Sequence, residues 1–195
     1  MNQNAVTYTK TKYRTLCGLF AALTAICSWI SIPLGFTPVP MNLATLAVFL
    51  AGGLLGPKYG SLSITVYALA GAVGAPVFAG FRGGLSVLAG PTGGYIIGYI
   101  AAALIAGLLC AGAVKSAVAD SNGEGNILKS GIVRTVLALV AALVACYALG
   151  TVWFIISTHT NPAAALISCV IPFLPGDAIK IAAGTILLQK LRKYV

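Results

Sequence analysis

The sequence predicts an all-α, polytopic membrane protein: six transmembrane helices forming a single integral membrane domain over residues 1–195. Three observations carry this. Hydrophobic residues make up 59% of the chain and charged residues 8%, with a mean hydropathy of +0.98. An ordinary soluble domain carries about 25% charged residues, and a soluble fold could not cover its surface with so few. The apolar residues fall in runs approaching the roughly 20 that a helix needs to cross a bilayer. The bases lie between those runs, where they orient a chain in the membrane. A net charge of +9 therefore calls for a lipid bilayer as partner, not nucleic acid.

The first span is expected over 15–32, behind Lys10, Lys12 and Arg14. A basic start before an apolar run resembles a signal peptide, but so many spans follow that an uncleaved first helix is expected. Cys17, Ala21, Ala25 and Ser28 recur along it as a stripe of small residues. Such a stripe lets another helix approach closely, either inside this chain or on a partner. Residues 33–40 hold three prolines and a glycine and cannot continue a helix. This stiff loop is either a connector or, through Phe36 and Pro38, a lid over an apolar ligand.

A second span is expected over 41–56, with Gly52, Gly56 and Gly60 at four-residue spacing, followed by a tight turn over 57–60. A short third span over 61–75 ends at Pro76. Residues 76–90 are apolar yet broken by glycine, and contain one charge, Arg82. Irregular backbone at membrane depth is tolerated only where it is buried in protein or lines a cavity. The fourth span opens at Gly90-Pro-Thr-Gly-Gly-Tyr95, carries Gly94, Gly98, Ala102 and Ala106 on one face, and ends near Val114. Residues 115–130 form the one polar stretch and are expected to be a solvated loop. The fifth span covers 131–157. Residues 163–171 are too short to cross and read as a half-helix, and the sixth span runs from near Pro175 to near Gln189.

Six spans bring both termini to one side, assigned to the cytoplasm. Ten of the twelve Lys and Arg then lie on that side, as positive-inside bias requires. The two left over are Arg82 and Lys180. With Asp177 they are the ionisable groups that topology does not explain. A charge inside a bilayer costs about 2.5 kcal/mol or more, so such groups are functional candidates. Pro175 suits the first turn of a helix, and Asp177 falls in that turn, where the helix dipole favours an anion. Lys180 lies three residues on, so the two share a face.

Enzyme chemistry is poorly served. One histidine, His159, excludes a paired-histidine zinc site, and a single membrane-level carboxylate excludes an aspartyl dyad within one chain. No nucleophile elbow and no Walker A loop occur. The five cysteines form no CxxC pair and read as small apolar packing residues. What remains is a recognition set: Arg82, Asp177 and Lys180, with Thr92, Tyr95, Asn42 and the proline loop containing Phe36. An acid and two bases in an apolar outer pocket suit a small ligand with an anionic end and neutral hydrogen-bond donors. A purely structural pairing of Asp177 with Lys180 or Arg82 is the competing reading.

At these residues the chain resembles the BioY family, the biotin-specific S components of energy-coupling-factor (ECF) transporters. The matching stretches are Phe36-Thr-Pro-Val-Pro40, Leu54-Leu-Gly-Pro-Lys58, Arg82-Gly-Gly, Gly90-Pro-Thr-Gly-Gly-Tyr95, and Pro172-Phe-Leu-Pro-Gly-Asp177 with Lys180. Many relatives carry Thr and Gln where this chain has Asn42 and Ala44. The resemblance implies an S-component-like fold of six helices, a vitamin site near the external face, and high-affinity biotin binding for uptake. It implies a coupling subunit and two ATP-binding subunits as partners, with Ala21-x-x-x-Ala25 meeting the coupling subunit. Biotin enters as transported ligand, and no cofactor is expected. Asp177 would accept from the ureido N–H groups; at least one of Arg82 and Lys180 would meet the ligand carboxylate, while the other holds Asp177 ionised. An S component for another small anionic vitamin, or a membrane transferase using Asp177 as base, are the alternatives.

Overall fold

The computed structural model describes residues 3–119 and 124–192, with side chains at 11–111 and 131–192. The first helix, α1, spans Gln3–Trp29. It stops ahead of Pro33, and the chain then forms a two-stranded antiparallel ribbon of β1 (Ser31–Ile32) and β2 (Met41–Asn42), paired Ser31↔Asn42 and Ile32↔Met41. The proline loop is thus the tip of a tight reversal. Leu43 N–H donates to Cys27 O at 3.1 Å, seating the ribbon on the end of α1.

The second helix, α2, covers Ala44–Ala72 and is broken at one residue, Gly56, with φ 78° and ψ 179°. Only glycine adopts that backbone readily. The turn expected over 57–60 therefore shrinks to Gly56. Pro57 to Gly60 are helical, because proline's fixed φ and missing N–H suit the first turn of the second arm. The two arms fold back on each other at glycine: a Cβ on Gly60 would lie 2.7 Å from Ala51 O.

Residues 76–90 stay irregular, with a bridge between Phe78 and Arg82 and a short helix, α3 (Leu85–Ala89). The chain's two tryptophans tie its ends. Trp29 Nε1 donates to Pro76 O at 2.8 Å, and Trp153 Nε1 to Gly90 O at 3.0 Å. Then come α4 (Gly93–Ala119), α5 (Glu124–Thr158), α6 (Pro162–Cys169), a single 3-10 turn (Ile171–Phe173) and α7 (Leu174–Leu191). The loop expected over 115–130 is shorter than its polarity suggested, since α4 and α5 run into it from both sides; residues 120–123 lie outside the described residues. The half-helix expected over 163–171 is α6, started by Asn161, whose Oδ1 accepts from Ala163 N–H at 3.0 Å.

Three stretches have the length and hydropathy of a membrane crossing: Gly93–Ala111, Gly131–Thr158 and Pro162–Leu191. With α1 and the two arms of α2 they make six helical segments. The centre is α2, which packs on α1, α4 and α7. Phe49, Ile64, Leu139 and Leu188 are fully enclosed there. Close approach rests on missing side chains: a Cβ on Gly52 would fall 2.4 Å from Ala103 O, and one on Gly107 2.5 Å from Pro57 N.

The stripe on α1 needs correcting. Ala21 and Ala25 are buried within this chain, and so are Cys17 and Ser28 on the same face. Ser63 Oγ donates to Cys17 O at 2.7 Å, and Tyr67 OH to Ser28 Oγ at 3.1 Å, so that face meets the second arm of α2. The small spacing reflects internal packing. Among the described side chains of α1, Gly18 and Ala22 are small residues on the exposed side.

Candidate ligand-binding site

The start of α7 carries the charges. Pro175 lies in its first turn and Asp177 follows in the same turn. The first-turn position and i,i+3 spacing bring Lys180 Nζ to 2.8 Å from Asp177 Oδ1, with both side chains buried. The other carboxylate oxygen, Oδ2, accepts from Tyr147 OH of α5. An ion pair excluded from water persists only when its remaining lone pairs are satisfied, and Tyr147 supplies that bond. Tyr147 was not legible in the sequence: nothing distinguishes it in the apolar run of α5 beyond the general need of a buried phenol for a partner.

These groups form part of the wall of a cavity whose empty volume, mouth included, is about 690 Å³. Its wall draws on every segment: Ser28 of α1, Asn42 of β2, Thr45 at the start of α2, Tyr67 of its second arm, Tyr95 and Tyr99 of α4, and Cys146 and Tyr147 of α5. Phe78 and Arg82 come from the irregular segment, which therefore does line a cavity. Phe78 fits because Gly71 has no side chain: a Cβ there would sit 2.0 Å from the Phe78 ring. The ring meets Tyr67 edge-on, with centroids 5.5 Å apart.

Of the residues singled out from the sequence, Arg82, Asp177, Lys180, Thr92, Tyr95 and Asn42 all reach this one cavity. Phe36 does not; it is 64% exposed, and the proline loop contributes Val39 and Pro40 instead. Arg82 is exposed, bonded through Nε to Ala79 O at 3.2 Å, and forms no ion pair with Asp177. Tyr95 is buried and its hydroxyl meets Thr151 Oγ1 at 3.3 Å. Asn42 Oδ1 accepts both Ala44 N–H at 3.1 Å and Tyr99 OH at 3.4 Å. No group of three or more metal-ligating side chains occurs among the described residues.

A bundle of membrane helices around one chamber, with a buried ion pair deep in its wall and an arginine at the exposed side, defines a membrane protein built to hold a small molecule. The chain belongs to the BioY family, whose family model matches residues 1–195. It is 39% identical over 177 residues to the "Biotin transporter BioY" of Thermotoga maritima, covering 90% of this chain and 93% of that one. It is 40% identical over 183 residues to the "Probable biotin transporter BioY" of Pyrococcus horikoshii, covering 94% and 98%. A crystal structure described as the S-component for biotin from an ECF-type ABC transporter superposes with a TM-score of 0.81 at 28% identity. The match covers 100% of this chain and 96% of that one.

Proposed function

We propose that this chain is the substrate-binding transmembrane subunit, the S component, of an ECF-type transporter, and that it binds biotin with high affinity for uptake. The observation that carries the reading is the way the cavity separates its charges. Biotin offers a ureido ring with two N–H donors at one end and a carboxylate at the other. Only an acceptor suits the first and only a donor or cation the second. Asp177 is the acceptor. Lys180 is already bonded to Asp177, so Arg82, which forms no ion pair with it, is the base left for the ligand carboxylate. The sequence reading had left the two bases interchangeable; the ion-pair geometry favours this order. Thr92, Tyr95 and Asn42 complete the wall.

The chain lacks a Walker A loop, so movement driven by ATP needs partners: a coupling subunit and two ATP-binding subunits. Both termini face the cytoplasm in this reading, the bound molecule is cargo, and the chain has neither cofactor nor catalytic role.

The test is a thermal-shift comparison of the purified protein with biotin, riboflavin and thiamine. A ligand that binds only the folded state at about a thousand times its Kd adds about 4 kcal/mol. Biotin is expected to raise the melting temperature and the other two to leave it unchanged. A shift with riboflavin or thiamine alone would make this an S component for another vitamin. Chemical conversion of the bound ligand would make it an enzyme.

A further inference from the structure

Part of the cavity wall, contributed by α1, β2 and α2, carries hydrogen-bond donors. Ser28 Oγ accepts from Tyr67 OH at 3.1 Å and keeps its own proton to donate. Asn42 Oδ1 accepts two bonds, from Ala44 N–H and Tyr99 OH, which leaves its NH₂ as the remaining polar group. Thr45, in the first turn of α2, lines the same cavity, yet its Oγ1 is buried and has no hydrogen-bond partner among the described residues. A buried hydroxyl without a partner is costly, and its retention calls for a reason. Threonine in a helix has two accessible χ1 rotamers, so a single rotation can redirect that hydroxyl.

Resting on the reading of the site as a biotin site, we infer that Ser28, Asn42 and Thr45 form a donor pole that receives the ureido carbonyl oxygen, with Thr45 as the specificity-determining member. The oxygen and the two N–H groups of a cyclic urea leave the ring in different directions. Asp177 accepts only, so it serves the N–H side and cannot serve the oxygen. The tyrosines bias the polarity: Tyr99, with Ala44 N–H, occupies Asn42 Oδ1, and Tyr67 takes one of the two lone pairs of Ser28 Oγ, so the NH₂ and the serine proton stay available to donate. The site is thereby selective for a neutral urea, with a strong acceptor oxygen, over analogues in which that atom is a poorer acceptor.

The experiment measures affinities of the full chain and of Thr45→Val and Thr45→Ser for biotin, desthiobiotin, which keeps the urea, and 2-thiobiotin, whose sulfur is a weak acceptor. Melting temperatures without ligand are recorded alongside. Thr45→Val keeps the shape and removes the hydroxyl. It is expected to weaken biotin and desthiobiotin in parallel by about fivefold to tenfold, as for one neutral hydrogen bond, and 2-thiobiotin by much less. The parent's preference for biotin over 2-thiobiotin narrows accordingly, and Thr45→Ser restores it. The unliganded melting temperature of Thr45→Val is expected to equal or exceed the parent's, because an unsatisfied hydroxyl has been removed. An unchanged biotin to 2-thiobiotin ratio in Thr45→Val overturns the inference. So does an equal loss for all three ligands with a lowered melting temperature, which marks a packing role. A parent protein that binds neither biotin nor desthiobiotin overturns the functional reading itself, and the donor pole with it.

Discussion

Asp177 is held from two sides, and each contact came from a different level of structure. Lys180 reaches it along one helix face, which the spacing of the two residues already determined. Tyr147 reaches it from thirty positions away, across a helix interface that no local pattern encodes. Asp177→Asn keeps the shape but removes the charge and leaves the Lys180 ammonium without its partner. Biotin affinity is expected to fall at least tenfold to a hundredfold, since a hydrogen bond to a charged group is worth about 1.5–3 kcal/mol. Tyr147→Phe removes one bond to the carboxylate and is expected to cost about tenfold. Arg82→Gln is expected to weaken biotin but not a neutral biotin amide. Isothermal titration of each variant with both ligands checks this, and equal losses on the two ligands would move the carboxylate contact away from Arg82.

At the scale of an element, α1 shows why a spacing can be read and its meaning missed. Small residues four apart predict close helix approach, and close approach is what occurs, but against the second arm of α2 within the chain. Ala21→Trp is therefore expected to lower the melting temperature and ligand binding of the isolated subunit, by the overpacking cost of about 1–3 kcal/mol or more. Ala22→Trp, on the exposed side, is expected to leave both unchanged. Similar effects from the two substitutions would contradict the orientation of α1. The break in α2 makes a second prediction. Gly56 has a φ of 78° that disfavours any side chain, although a Cβ there would meet nothing within 4 Å. Gly56→Ala is expected to destabilise by about 1–3 kcal/mol through backbone strain alone, read as a lowered melting temperature.

For the whole molecule, the distribution of charge orders the two ends. Tyr13 stacks on Tyr59 and Gly107 packs on Pro57 at one end, where Lys12, Arg14, Lys58 and Lys190 also gather. Trp29, Pro76, Phe81 and Arg82 meet at the other, with the cavity mouth. Positive-inside bias predicts that the basic end is cytoplasmic. Both Lys58 and His159 are exposed. In a cysteine-depleted background, an impermeant thiol reagent added to intact cells is expected to reach a cysteine at His159 and to miss one at Lys58. The reverse pattern would invert the protein in the membrane and put the cavity on the cytoplasmic side.

The sequence by itself determined what depends on local pattern: an all-helical membrane chain, a break between the second and third spans next to Pro57, the half-helix before α7, and the placing of Asp177 and Lys180 on one helix face. Hydropathy, proline and glycine chemistry, and the i,i+3 geometry of a helix act over a few residues, so they can be read without a fold. Six of the seven residues singled out for the site reach the cavity because polar groups in lipid-facing runs have few other places to go. Only the tertiary structure decided the rest. It turned Ala21 and Ala25 inward, left Phe36 outside while Val39 and Pro40 faced the cavity, and gave Lys180 rather than Arg82 to Asp177. It also brought Tyr147, Ser28 and Thr45 to the cavity from helices that share no local signal. Each of those outcomes depends on which helix face meets which neighbour. That choice is settled by the summed packing of α2 against α1, α4 and α7, not by any stretch of chain on its own.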